Sequence, residues 1–121
     1  NYTNMSYLDS ESRPWGSYHI ISLDKKFKIK KIEVNPGQRL SYQYHNKRSE
    51  VWTIISGIAH VTINDKVSEL KPGDSIAIPI KAKHRVENKG VNNLIFIEVQ
   101  TGSYFGEDDI VRLEDDYNRV K

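Results

Sequence analysis

The chain of 121 residues contains no cysteine, which excludes disulfide staples, thiolate zinc sites and cysteine nucleophiles. A metal bound here has to be held by histidine, carboxylate or amide oxygen. Charge of one sign is also lacking. Eighteen Lys and Arg stand against sixteen Asp and Glu, a net of +2, too near balance to demand nucleic acid or an anionic membrane as partner. No apolar stretch approaches the roughly 18 residues of a membrane span, and residues 1–12 lack a charged region followed by an apolar run. The expected location is therefore the cytoplasm, with no membrane partner. The first residue is Asn1 rather than Met, which reads as a piece of something longer. Internal repeats and low-complexity linkers are absent as well. Apolar residues at helical spacing are missing until the C-terminus.

What is present is core material and turns. Apolar residues make up 37%, with two Trp, seven Tyr and three Phe, enough for one compact domain and too many for disorder. Turn signals recur at Asn35-Pro36-Gly37, Ser56-Gly57, Asn64-Asp65, Lys71-Pro72-Gly73 and Asn88-Lys89-Gly90. Between them, residues 18–22, 27–34, 38–45, 51–55, 59–63, 75–78, 84–87 and 94–99 carry the β-branched and aromatic composition of strands. Short strands without interleaved helices predict an all-β antiparallel sandwich or barrel, with a double-sheet jelly roll the natural match in size. Residues 106–121 are charge-dense and read as a solvated helix or tail. Lys25, Lys26, Lys28, Lys30 and Lys31 alternate with Phe27, Ile29 and Ile32 and read as a solvated sheet face. They lack the aromatic platforms a nucleic-acid surface would interleave. His19 and His60 are expected to be structural or exposed, and Trp15 and Trp52 to anchor a core or interface.

The chemistry concentrates in residues 36–52 and 72–88. On an extended strand Arg39, Ser41, Gln43 and His45 share one face, and Leu40, Tyr42 and Tyr44 the other. A polar face turned into a barrel is costly unless its groups are paired or bind something. Glu50 lies five residues beyond His45, so a tight turn aims its carboxylate at the same point, and His84 sits on a later strand between Pro79 and Asn88. One amide oxygen, two imidazoles and a carboxylate suit a divalent ion, with zinc the first expectation and manganese, cobalt or iron the alternatives.

Gly37, Gln43-x-His45, Glu50 and Gly57, followed by Pro72-Gly73-Asp74, Pro79, His84 and Asn88, resemble the paired motifs of the cupin superfamily. Arg13-Pro14-Trp15-Gly16, Arg48-x-Glu50-x-Trp52, His84-Arg85-x-Glu87-Asn88, Gln100-Thr101-Gly102 and the run Gly106 to Tyr117 resemble, more closely, the type II phosphomannose isomerase domain. In that family the cupin domain usually follows a mannose-1-phosphate guanylyltransferase domain in one bifunctional chain. The resemblance spans about 13–119. It implies a cupin double-stranded β-helix over 13–121 with 1–12 as an N-terminal extension, and metal ligands at Gln43, His45, Glu50 and His84. It further implies catalytic roles for Arg48 and Arg112, and binding of a sugar phosphate by Arg48 and Arg119. Lys81 is the loop cation placed to help attract phosphate.

The implied reaction interconverts mannose 6-phosphate and fructose 6-phosphate. The alternative is a non-catalytic cupin that binds a sugar phosphate or sugar nucleotide, or a dimerisation and regulatory domain of a larger guanylyltransferase. A homodimer by sheet extension or swapped N-terminal strands is expected. The base is unassigned, because Glu107, Asp108 or Asp109 reaches the lumen only if the tail folds over the barrel mouth. Two positions depart from the family pattern. Val51 stands where His is frequent, removing a titratable group beside the expected site. Asn118 stands where Gly is usual, and it tolerates the same left-handed backbone.

Overall fold

The computed structural model describes residues 6–119; the first five residues of the expected extension, and 120–121, lie outside them. Eleven strands and no helix are found among the described residues: β1 (Asp9–Arg13), β2 (Gly16–Leu23), β3 (Phe27–Val34), β4 (Tyr42–Tyr44), β5 (Arg48–Ser56), β6 (Ala59–Ile63), β7 (Lys66–Leu70), β8 (Ser75–Ile78), β9 (His84–Glu87), β10 (Leu94–Gly102) and β11 (Val111–Glu114). They form two antiparallel sheets, one ordered β1-β2-β3-β10-β5-β8 and the other β11-β4-β9-β6-β7, the all-β two-sheet barrel expected from the turn spacing. Among the described residues no helix is long and apolar enough to cross a membrane.

The inward face of the six-stranded sheet changes character along its strands. On β10 the buried side chains run Leu94, Phe96, Glu98, Gln100; on β3 they run Val34, Ile32, Lys30, Lys28. Antiparallel register sets each against its counterpart: Leu94 opposite Val34, Phe96 opposite Ile32, Glu98 opposite Lys30, Gln100 opposite Lys28. One end of the barrel is thus an apolar core, completed by Trp52, Ile54, Val61, Ile78 and Val86. The other end is lined with charge.

This reverses the expected orientation for Lys28 and Lys30, while Lys25 and Lys26 are exposed and Lys31 lies on the outer face as expected. Lys28 and Lys30 are 6% and 4% exposed, whereas Phe27 and Ile29 sit half-buried on the outer face. The alternation has period two, as the sequence implies, but the interior it faces at this end is a polar cavity, so the cations go in.

The expected strand 38–45 is also shorter. Regular pairing on this segment is limited to β4, and Arg39 makes only an isolated bridge to Glu87. The break at 40–41 resets the alternation. Leu40 and Ser41 are both buried, and Arg39 turns outward to Asp116 with bonds of 2.7 and 2.8 Å, away from Gln43 and His45.

β1 and β7 are strands with little apolar signal. β1 (DSESR) is almost wholly exposed, yet pairs with β2 along its length, from Asp9 opposite Ile20 to Arg13 opposite Gly16. A polar edge strand of this kind shields a sheet from further pairing.

The C-terminal segment is neither a helix nor a solvated tail. After β10 it crosses the polar end of the barrel and joins the five-stranded sheet as β11 beside β4. Charge holds this strap down. Glu107 lies 2.7 Å from both Lys28 and Lys30, Glu114 lies 2.7 Å from Arg85, and Asp116 pairs with Arg39. Gly102 is required where the strap departs. Its φ is +150°, and a β-carbon there would run into the carbonyl oxygen of Lys47.

A candidate metal centre under an arginine-lined cavity

The turn at 45–47 carries the chain from the five-stranded sheet to the six-stranded one, so His45 at the end of β4 and Glu50 on β5 meet where the sheets converge. His84 joins them from β9, which pairs with β4 at Gln43. His45, Glu50 and His84 are 3%, 2% and 1% exposed, and a ligand atom from each lies within 4.8 Å of the others.

Hydrogen bonding fixes which atoms face the centre. His45 Nδ1 lies 2.7 Å from the carbonyl of Asp109, and His84 Nδ1 lies 2.9 Å from the carbonyl of Ala82. A carbonyl only accepts, so both rings carry their hydrogen on Nδ1 and present a bare Nε2. His84 Nε2 is buried with no partner at all. His45 Nε2 is 3.2 Å from Glu50 Oε2, acceptor against acceptor, and receives only a long 3.4 Å contact from Arg48 Nη2. A divalent cation among these three atoms would relieve each of those conflicts, and two imidazole nitrogens with a carboxylate oxygen form a borderline donor set suited to such an ion. Burial, then Arg48 and His84, pushes His45 down to about 4, and burial lowers His84 too, so both rings are in the neutral, metal-binding form.

The fourth expected ligand, Gln43, sits opposite His84 and lines the same cavity as His45, while its Oε1 accepts a 2.6 Å bond from Ser41. An amide oxygen has a second lone pair, so this bond orients the side chain without using it up.

The remaining bonds to Glu50 organise it. Trp52 Nε1 donates to Oε1 at 2.9 Å and Arg48 Nε to Oε2 at 2.9 Å. Arg48 is 5% exposed and also reaches the Gly106 carbonyl of the strap at 3.4 Å. Its guanidinium lines the cavity, with Nε on Glu50, Nη1 toward Gly106 and Nη2 toward His45.

The cavity above the cluster has a volume of about 110 Å³ and adjoins an outer recess of about 360 Å³; Glu107, Ile110, Arg112 and Arg119 line both. Arg13, Lys30, Arg48, Arg112 and Arg119 give its wall a strong positive character. Their engagement differs. Arg119 is paired bidentately with Asp115 at 2.8 and 3.1 Å. Arg112 makes no ion pair among the described residues, and its buried Nε has no hydrogen-bond partner. Arg112 stands opposite Gln43 on β4, so Arg112, Gln43 and His84 form one row across the sheet. Burial and then the neighbouring Arg119 lower the Arg112 pKa, with Asp115 opposing them.

Lys81 is not brought into this cavity. It is exposed, in the left-handed region at φ 67°, and its backbone N–H donates 2.8 Å to the His45 carbonyl, so its observed service is to hold a ligand's backbone. Val51 is 45% exposed between buried Glu50 and Trp52, so the His-to-Val departure falls on the outer face of the sheet, away from the centre. Asn118 has φ 60°, the left-handed geometry for which Asn substitutes for Gly.

Some lining groups escape a sequence reading. Glu98 is buried in the cavity wall, where Trp52 Nε1 and Gln100 Nε2 donate to it at 3.0 and 2.7 Å. Burial, reinforced by Glu50, raises it to about 7, so this carboxyl can hold a proton near neutrality. The available signal was the apolar-to-polar change along residues 94–100, matched by the reverse change along 28–34. Arg13, part of a quoted motif but given no role, also reaches the wall. The tail does fold over the mouth, so Glu107 and Asp109 reach the site.

Residues 3–115 match the family described as mannose-6-phosphate isomerase C-terminal. The chain belongs to this family. Over 108 residues, 89% of the chain, the domain is 51% identical to the alginate biosynthesis protein AlgA of Pseudomonas aeruginosa. It is 48% identical, over the same share, to the mannose-1-phosphate guanylyltransferase ManC of Salmonella typhimurium. It spans only 22% of the length of each. Among solved structures it is similar to the capsular polysaccharide assembling protein CapF of Staphylococcus aureus, with a TM-score of 0.77 at 21% identity over 94% of this chain and 35% of that one. It is also similar to an RmlC-like cupin from Shewanella frigidimarina, with a TM-score of 0.72 at 20% identity over 87% of this chain and 94% of that one. The fold is that of the cupins.

Proposed function

We propose that this domain interconverts mannose 6-phosphate and fructose 6-phosphate with a divalent metal, zinc as the first choice. The observation that carries the reading is one cavity lined by Gln43, His45 and an unpaired Arg112, with Glu50 and His84 gathered against His45 behind it. Such a pairing of metal-ligand groups and an uncompensated cation suits a small anionic substrate with adjacent oxygens. A metal bound at His45, Glu50, His84 and Gln43 would supply orientation for two neighbouring sugar oxygens and stabilise negative charge developing on them.

The chain's own groups do the rest. Arg112, backed by Arg119, offers planar donors to phosphate oxygens. Arg48 holds Glu50 in place. The strap, latched through Glu107, covers the cavity and keeps water from the reacting carbons. Moving a proton between C1 and C2 needs a group outside the ligand set; of the two cavity-wall carboxyls Glu107 is held by Lys28 and Lys30, which leaves Glu98 for the role. As relatives carry names from alginate and xanthan biosynthesis, the product would feed activated mannose into a polysaccharide. Val51 faces outward and removes nothing from the site.

A coupled assay tests the reading. Mannose 6-phosphate should turn over with the zinc-loaded chain, stop on chelation and resume on adding zinc back. A folded, zinc-loaded sample without turnover would refute it.

A further inference from the structure

Asp109 lies on the strap, 63 residues from Asn46 in sequence, yet its carboxylate and its carbonyl are spent on the turn that carries the metal-centre residues. Its Oδ1 accepts from the Asn46 backbone N–H at 3.0 Å and its Oδ2 from the Lys47 N–H at 2.9 Å, while its main-chain carbonyl accepts from His45 Nδ1 at 2.7 Å. The residue is 8% exposed. Its own N–H donates to the Gly106 carbonyl at 3.2 Å, which closes the strap into a tight loop at this point, and Ser103 N–H holds the Lys47 carbonyl at 3.0 Å from the same segment.

We infer that Asp109 is a positioning residue that couples docking of the strap to metal binding. Its side chain fixes where its carbonyl lies, and that carbonyl sets the tautomer of His45.

The physical argument has two steps. A neutral imidazole binds a metal through the nitrogen that lacks hydrogen, so His45 can use Nε2 only while Nδ1 carries the proton. The Asp109 carbonyl rewards that tautomer with a hydrogen bond. Nothing about His45 itself holds the carbonyl there; the carboxylate does, by gripping two consecutive backbone N–H groups of the turn. Because the strap also carries Arg112, the same contact ties the phosphate-facing cation to the metal ligand. Linkage then runs both ways: a docked strap favours the metal, and a bound metal favours the docked strap.

This inference rests on the metal-centre reading, and the experiments separate the two. Asp109→Asn keeps the shape but sets an amide N–H₂ against one of the two backbone donors. Zinc affinity, measured by competition with a chromophoric chelator, should fall roughly 10–100-fold, the usual effect of losing a group that orients a ligand. In the metal-free protein, nitrogen NMR should find His45 protonated at Nδ1 in the wild type and shifted toward the Nε2–H tautomer in the variant. Asp74→Asn removes a comparable clamp, on Lys71 N–H at 2.9 Å, and should leave zinc affinity unchanged.

A wild type that binds no zinc removes the metal-centre reading and this inference with it. Equal zinc affinity in wild type and Asp109→Asn, or an unaltered His45 tautomer, removes this inference alone. Should the variant fail to fold, the wild type decides. Zinc should slow hydrogen exchange at the Asn46 and Lys47 amides, and unchanged exchange there overturns the coupling.

Discussion

Glu107 inserts a carboxylate between two lysines that are otherwise sealed in the barrel, and its neutralisation should loosen the strap. Lys28 and Lys30 side chains are 7% and 5% exposed, and each has its Nζ 2.7 Å from Glu107. Lys28 has one further acceptor, the Phe105 carbonyl at 3.1 Å, and Lys30 lies over the Tyr18 ring at 4.1 Å. In Glu107→Gln both ammonium groups lose their only paired charge. Removing one partner of a fully buried pair costs about 3–5 kcal/mol, and an exposed pair contributes about 0–1. Glu107 is itself 39% exposed, so water screens part of the interaction and the expected loss is about 2 kcal/mol. For a domain of this size that is a drop in Tm of about 8 °C.

The effect also has a definite pH dependence. Burial works against the Glu107 charge, but Lys30 and Lys28 outweigh it and hold the carboxyl down at about 2, from an ordinary 4.5. A depressed acid stabilises the fold above its unfolded pKa, and that contribution is lost as pH falls toward the folded value. Melting curves of wild type and variant should therefore differ by a constant amount from pH 8 to about 5 and converge below it. Equal Tm values at pH 7, or a difference that does not shrink on acidification, would refute the reasoning.

Other perturbations separate the roles of neighbouring groups. Arg112→Ala should raise KM for mannose 6-phosphate by roughly 10–100-fold, the loss of one or two charge-assisted bonds. The same variant should melt no lower than wild type, because Arg112 has no ion pair to lose; a destabilised variant with an unchanged KM would assign Arg112 to structure instead. Val51→His, which restores the residue frequent in the family, should leave zinc affinity and turnover within about twofold, since the side chain faces outward. With His45 lowered to about 4, its neutral ring persists well below the ordinary 6.5, and the stability linked to it is present above 6.5 and lost as pH falls toward 4. Equilibrium dialysis should accordingly find zinc retained at pH 5.5; release centred on pH 6.5 would contradict the pKa assignment.

The convergence of His45, Glu50 and His84 was legible because their spacing reports strand geometry directly. A short turn after His45 sends Glu50 to the same point whichever way the sheets lie, and the turn signals around Pro72-Gly73 and Pro79 delimit the strand that carries His84. Inside and outside were harder to tell. Period-two alternation at 27–34 marks two faces without saying which is which, and the usual assumption that lysines face water fails where one end of the barrel is a charged cavity. Arg39 shows the same limit from another cause: the strand breaks at 40–41, so counting alternate residues across the break puts Arg39 on the wrong face.

The strap was read as solvated because its stabilisation is long-range. Glu107, Asp109, Glu114 and Asp116 find their partners between 29 and 79 residues away, on strands whose arrangement no local pattern reveals. Once the strap is docked, the arginines that the family resemblance implied have a common cavity to line, and the acidic residues between them are its anchors.

The most direct test of the metal centre is anomalous diffraction from a crystal grown with zinc, recorded on both sides of the zinc absorption edge. The account predicts a peak within bonding distance of His45 Nε2, His84 Nε2 and a Glu50 carboxylate oxygen. A zinc-containing crystal with no peak there, or with peaks only at exposed carboxylates, would contradict it.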